Sequence, residues 1–502
     1  MDYRQRLFDS EGAVFPGKTY VETVLEPAYN EAKQQLLGPM MAINKAHLIM
    51  LCEQNLVAKD EAVQLAKALR ELDLESVKSG VYTGEFEDLF FQVEQGLLQA
   101  AGDIAGNLHL ARSRNDMGIA IYRMVLREKL LTVLASALYL QEHLLSFAEE
   151  HVDTLMIGYT HTQQAQPTTL AHYVMAAVDS LFRDIRRMQA AYGNCNRSSM
   201  GAAALTTTGF AISRERMMDL LGFDEMIENS YDAIAGADYI GEIASAIQLA
   251  AVNLGRVVQD LLLWCTQEFA ALKVANPYVQ ISSIMPQKRN PVSLEHIRAL
   301  LSSCAGNAHT VLTMLHNTPF GDIVDTEDDM QPYAWKGLDQ MDRIYRLLAT
   351  VIGTLEVDRK VLRERALGSF ATVTELADTL VGTGGLSFRK AHQIVSSVVK
   401  KALAKGLRAD QVTLALVNEA AGEIIGRNLL LDEETLKKSL DPVHFVAIRS
   451  LPGGPSPSEI TRVIRLRQAQ LADSRQWLQA AREKCRCALQ HLDDVLAGWS
   501  ER

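Results

Sequence analysis

The sequence predicts an all-α fold of three helical domains, the middle one a bundle of long helices. Two observations carry that expectation. Hydrophobic residues make up 48% of the 502 residues but aromatics only 6%, with Ala, Leu and Met abundant. Strands would favour β-branched and aromatic residues instead. Proline, which breaks helix interiors, is absent between Pro39 and Pro167, between Pro167 and Pro277, and between Pro332 and Pro442.

An N-terminal helical domain is expected over residues 1–110. The central bundle, 111–363, contains the longest segment. Residues 119–157 include neither Gly nor Pro, and apolar residues such as Met124, Leu131, Leu134 and Leu138 recur there at helical spacing. As one helix this run would reach roughly 58 Å. That is longer than a compact domain needs, so it must pack on similar helices of its own chain or of a partner. The segments 168–192, 237–275 and 292–317 read the same way, and Ala244, Ala246, Ala250 and Ala251 allow close helix approach. A C-terminal domain, 364–502, begins near Glu364, and Gly384-Gly385 and Gly453-Gly454 mark turns in it. Its last stretch, 458–500, is charged and amphipathic and reads as one long packing or assembly helix.

Composition excludes several classes. The formal net charge of −11 repels phosphate backbones, so nucleic acid is not expected as a partner. An anionic substrate must then meet a few focused cations in a cleft. The six cysteines include no Cys-x-x-Cys pair, which argues against a disulfide framework or a zinc module. The N-terminal MDYRQRLFDSEG lacks the apolar run of a signal peptide. No stretch of 18 uninterrupted apolar residues occurs, so no membrane span is expected. A cytoplasmic enzyme or scaffold is the default. The chain has no internal repeat, no Gly-x-Gly-x-x-Gly, no Walker loop and no His-Glu-x-x-His.

Three polar clusters interrupt the helical pattern. The first, His109 to Asp116, contains Ser113, Arg114 and Asn115; its guanidinium forks suit carboxylates. The second, Gly158 to Thr169, contains Thr160 and His161 among many hydroxyls and amides. The third, Gln280 to Pro291, places Ser282, Ser283, Lys288 and Asn290 on a proline-punctuated loop that opens a helix, where backbone N–H groups favour anions. Taken singly, each also fits an ordinary polar cap or loop.

Together they resemble the three motif regions of the aspartase/fumarase superfamily. Residues 282–290 match its Ser-Ser-x-Met-Pro-x-Lys-x-Asn signature. Arg112-Ser113-Arg114-Asn115-Asp116 and Gly158-Tyr159-Thr160-His161 are similar to the argininosuccinate lyase family in particular, as are Glu375-Leu376-Ala377-Asp378, Phe388-Arg389-Lys390-Ala391-His392 and Gly453-Gly454-Pro455-Ser456-Pro457. The resemblance covers about residues 80–465. It implies a homotetramer built on the long helices, with composite sites made from three chains. It implies elimination of fumarate from an N-substituted aspartate, with no metal or organic cofactor. In that chemistry Ser282 would be the base, its alkoxide stabilised by Lys288 and the loop's N–H groups. Lys288 and Asn290 would also hold the carboxylates, with Ser113, Asn115 and Thr160, and with Arg114 beside them. His161 would supply or position the acid, oriented by Glu295.

The sequence departs from that family in places. Ile281 stands where Gly is frequent, Phe90 where His is typical, and Ala237 where Arg is typical. The largest departure is at 319–330. There Asp322, Glu327 and Met330 replace the usual Tyr, Gln and Lys that hold the amino-acid end of the leaving group. A cation is lost and two carboxylates are gained, so Asp322 and Glu327 are expected to bind a cationic amine. The leading expectation is a lyase whose substrate is altered in its amine part. A true argininosuccinate lyase is the alternative. A non-catalytic, crystallin-like structural protein is a third reading, and joint retention of Ser282, Lys288, Asn290, His161 and Glu295 argues against it.

Overall fold

Helix length organises the molecule. The computed structural model describes residues 2–500, and nearly all of its regular structure is helical. The N-terminal part contains α1 (Leu37–Glu53), α2 (Lys59–Glu71) and α3 (Leu89–Ala101). The bundle contains α4 (Arg114–Glu150), α5 (Leu170–Cys195), α6 (Asp238–Trp264), α7 (Val292–Leu315) and α8 (Gln331–Gly353). The C-terminal part contains α9 (Val373–Gly384), α10 (Phe388–Ala404), α11 (Leu414–Ile425) and the 44-residue α12 (Pro457–Ser500).

The expected helix over 119–157 is shortened at its end. α4 stops at Glu150, and a turn closed by His151 Nδ1 and Thr154 Oγ1 at 2.9 Å leads into a strand. That strand, β1 (Leu155–Thr160), pairs antiparallel with β2 (Gln163–Thr169). Met156, Ile157, Tyr159 and Thr160 supply the side chains that suit a half-buried strand. The expected helix over 237–275 likewise ends early, at Trp264. Ala270 takes a φ of 47°, and β3 (Leu272–Lys273) follows. Two further short strands, β4 (Gln280–Ile281) and β5 (Arg289–Asn290), pair with each other, and β3 pairs with β6 (Glu356–Val357).

Side-chain contacts set the helix directions. Tyr122 meets Asp328 and Lys129 meets Asp339, so α8 runs parallel to α4. Cys304 donates to the Gly337 carbonyl and Asn307 to Gln340, which lays α7 against α8. Two glycines permit close approach. A Cβ on Gly241 would sit 3.0 Å from Leu315, and one on Gly337 would sit 3.0 Å from Ile247.

One apolar core joins the N-terminal helices, the bundle and α12. The helices between 376 and 440 have a separate core. The tail is therefore grouped differently from the expected 364–502 unit. Ile460, Ile464, Leu471, Leu478, Leu492 and Leu496 of α12 are buried in the shared core, where α12 packs along α4, α1 and α2. α4 and α6 are each long and apolar enough to cross a membrane by length and composition, at mean hydropathy 1.3. For α4, 67% of that window is buried within this chain, as in a core helix; for α6 it is only 39%. Leu249, Val252 and Leu263 are exposed on α6.

Candidate active site

The first cluster is built on the N-terminus of α4. Ser113 is the N-cap, and its hydroxyl bonds the Asn115 side-chain oxygen at 2.9 Å. Asn115 Nδ2 donates to the Ala204 carbonyl at 3.3 Å. Asp116, fully buried, accepts from the backbone N–H groups of Ser113, Gly201 and Ala203 at 2.9–3.0 Å. It thereby ties the cap to the 199–204 turn. Burial pushes its carboxyl up to about 6, against the pull of those three N–H groups. Arg112 does not face the site: it is half-buried and donates to Asn44 Oδ1 at 2.7 Å. Arg114 pairs with Asp88 at 2.8 Å and lies 3.6 Å from Glu87, so this guanidinium already has carboxylate partners.

The acidic segment 322–329 lies against this same end. Asp328 accepts from the buried Tyr122 hydroxyl at 2.9 Å. Glu327 lies beside Asp322, and both Glu327 and Asp328 feel the charge of Arg114. Burial, then the Asp322 carboxyl, push Glu327 up to about 9. Burial also raises Asp328. Four carboxyl groups, on Glu87, Asp88, Glu327 and Asp328, thus gather around one guanidinium, with Asp322 beside Glu327. Met330 is not among them. Its side chain is 0% exposed, in the core at the start of α8.

The second and third clusters sit at the other end of the bundle. Thr160 and His161 form the tip of the β1–β2 hairpin, with His161 and Thr162 at φ of 50° and 60°. Both lie on the exposed surface. Ser282 opens the loop between β4 and β5, and its hydroxyl accepts from the backbone N–H groups of Met285 (3.1 Å) and Ile284 (3.4 Å). Ile281, where Gly is frequent in relatives, is strand backbone paired with Arg289. Nothing strains it there. Lys288 makes no ion pair among the described residues, and Ile284 at the loop tip is 83% exposed. Glu295, on the first turn of α7, is exposed and forms no hydrogen bond with His161. The two ends are separated by the 37 residues of α4, about 55 Å. One chain therefore brings Ser113, Arg114, Asn115, Asp322 and Glu327 together at one end. It places Thr160, His161, Ser282, Lys288, Asn290 and Glu295 at the other.

Sequence and fold together decide the family. Residues 32–306 match the lyase family model, and residues 370–447 the argininosuccinate lyase C-terminal model. The chain is 42% identical to argininosuccinate lyase 2 of Agrobacterium fabrum, over 89% of each chain. The chain belongs to the argininosuccinate lyase family. It is also 37% identical to argininosuccinate lyase of Methanocaldococcus jannaschii, over 84% of this chain and 86% of that one. A solved EDDS lyase variant with bound fumarate superposes with a TM-score of 0.87 at 31% identity, covering 93% of both chains. As a member of the argininosuccinate lyase family, the protein is a carbon–nitrogen lyase.

Sequence reading missed Asp88, Tyr122, Asp328 and Asp116. Tyr122 and Asp328 are 206 positions apart, and no motif links them. A signal did exist for Asp116, three residues after a Ser N-cap, where a capping-box carboxylate belongs. Phe90, in place of the family's usual His, packs at a tilt against His109 with ring centroids 5.2 Å apart.

Proposed function

We propose that the protein eliminates fumarate from an N-substituted aspartate whose leaving amine is a cation without the α-carboxylate of arginine. The observation that carries the amine assignment is the carboxyl cluster of Asp322, Glu327 and Asp328 beside the 113–115 cap. A leaving group bearing its own carboxylate would meet like charge and lose solvent there. A protonated amine or guanidinium would be matched. A neighbour holding fumarate under a name other than argininosuccinate lyase supports a changed amine half.

The aspartyl half is the chemistry that the motif residues suit. Ser282, as alkoxide, takes a proton from the β-carbon; the electron pair passes into the adjacent carboxylate and then forms the C=C bond as the C–N bond breaks. The Met285 and Ile284 N–H groups favour the anionic form of Ser282. Lys288 and Asn290 hold the carboxylates, with Ser113, Asn115 and Thr160 contributed by neighbouring chains. His161, oriented by Glu295 from another copy, delivers or positions the proton taken by the departing nitrogen. A homotetramer supplies these neighbours, and the exposed apolar side chains of α6 support it. Six free cysteines support a cytoplasmic location.

The test is kcat/KM for argininosuccinate against an N-(aminoalkyl)aspartate. A better rate with the aminoalkyl compound is expected. If argininosuccinate is preferred, the amine assignment fails and the protein is an argininosuccinate lyase of divergent sequence.

A further inference from the structure

We infer that Arg289 is a positioning residue that fixes the Ser282 loop in its working place. This rests on reading the 282–290 loop as the catalytic one. Along a strand successive side chains point to opposite faces. Within β5, Asn290 and Arg289 therefore point to opposite faces, and Lys288 ends the turn just before the strand. The Arg289 guanidinium reaches back to the Asn276 side-chain oxygen and, at 3.0 Å, to the Val274 carbonyl. Val274 is buried, next to β3, which is itself paired with β6 at the end of the bundle.

The loop needs such a tether. Ile281, Ile284 and Lys288 are exposed, and β4–β5 is only two residues per strand. A solvent-open cleft of about 550 Å³, lined by Lys273, Gln287, Arg289, Pro291 and Glu356 among others, separates the loop from the bundle end. The Arg289 fork is a side-chain link across that cleft. A planar fork that bonds two oxygens fixes orientation as well as distance, which an ammonium cannot do. A displacement of about 1 Å at the reacting groups can cost about a hundredfold in rate. Arg289 thus acts through Ser282 and Lys288 without touching substrate.

Two readouts on the full-length protein test this. The first is backbone hydrogen exchange, followed by mass spectrometry without ligand. Arg289→Met should raise exchange in the 280–290 peptide and leave peptides of α4 and α8 unchanged. The second is turnover of argininosuccinate or of an N-(aminoalkyl)aspartate, whichever is faster. Arg289→Met should lower kcat by about 10- to 100-fold with KM within about twofold. Asn276→Ala should share the defect, the double variant being no worse than the worse single one. Arg289→Lys should recover only part of the loss.

Unchanged exchange in the 280–290 peptide overturns the proposal, whatever the activity. So does a kcat loss matched by a lower thermal midpoint and exchange raised throughout. Ser282→Ala is measured in parallel. If that variant keeps its turnover the catalytic reading of the loop fails, while exchange still decides the tether.

Discussion

Ser282 receives two backbone N–H groups at its hydroxyl, an arrangement that favours the anion over the neutral group. Ser282→Ala should therefore cost about 10²–10⁴-fold in kcat with circular dichroism and assembly unchanged; near-normal turnover would move the base to another residue. Glu327 makes a different kind of statement. Its carboxyl is raised from the ordinary 4.5 to about 9. Its contribution to stability is thus complete below about 4.5 and is lost as pH rises through about 9. The thermal midpoint of the free protein should fall between pH 6 and pH 9.5, and less steeply in Glu327→Gln. A cationic leaving group beside Glu327 would stabilise its carboxylate. Binding should then release a proton near neutral pH, detectable as a buffer-dependent heat in calorimetry. Absence of that dependence would place the cation elsewhere. At this scale the motif residues were legible, because each lies in a short run with its neighbours. The burial of Met330 was not legible, because a sequence position says nothing of which way a side chain points. Burying the ammonium of a Met330→Lys variant would cost more than it returned.

Among the elements, the long helices were legible from proline spacing and a 3.6-residue apolar period. Their ends were less so. The strand after α4 follows a four-residue turn with neither Gly nor Pro to mark it, and only its β-suited side chains betray it. The amphipathic tail announced that one face would be buried, but not against what. The structure places that face on α4, α1 and α2, so α12 belongs to the bundle's energetics. Leu492 on α12 is 1% exposed. Leu492→Ala should destabilise the fold by about 2–5 kcal/mol, read as a lower thermal midpoint. A shift no larger than that of a surface substitution would mean that α12 docks loosely. Loss of bundle packing should also be felt at α4, whose cap carries Ser113 and Asn115.

For the whole molecule, the residues assigned to the proposed site fall into two groups at opposite ends of one chain. No bending of a packed bundle closes about 55 Å. Activity should therefore require assembly, and a tetramer is expected in sedimentation. Two inactive variants, one altered at Asn115 and one at Ser282, should regain part of the activity when unfolded together and reassembled. Failure to complement, or an active monomer, would sink the composite site. α4 has a further consequence. An α-helix advances about 1.5 Å and turns about 100° per residue, so it is a phase-locked shaft between the two half-sites. Inserting one residue near its middle would rotate one end's chemistry by over a quarter turn relative to the other, with every local hydrogen bond intact. Insertions and deletions in such a chain can accumulate in its connecting loops, while the length of this shaft stays fixed in whole residues.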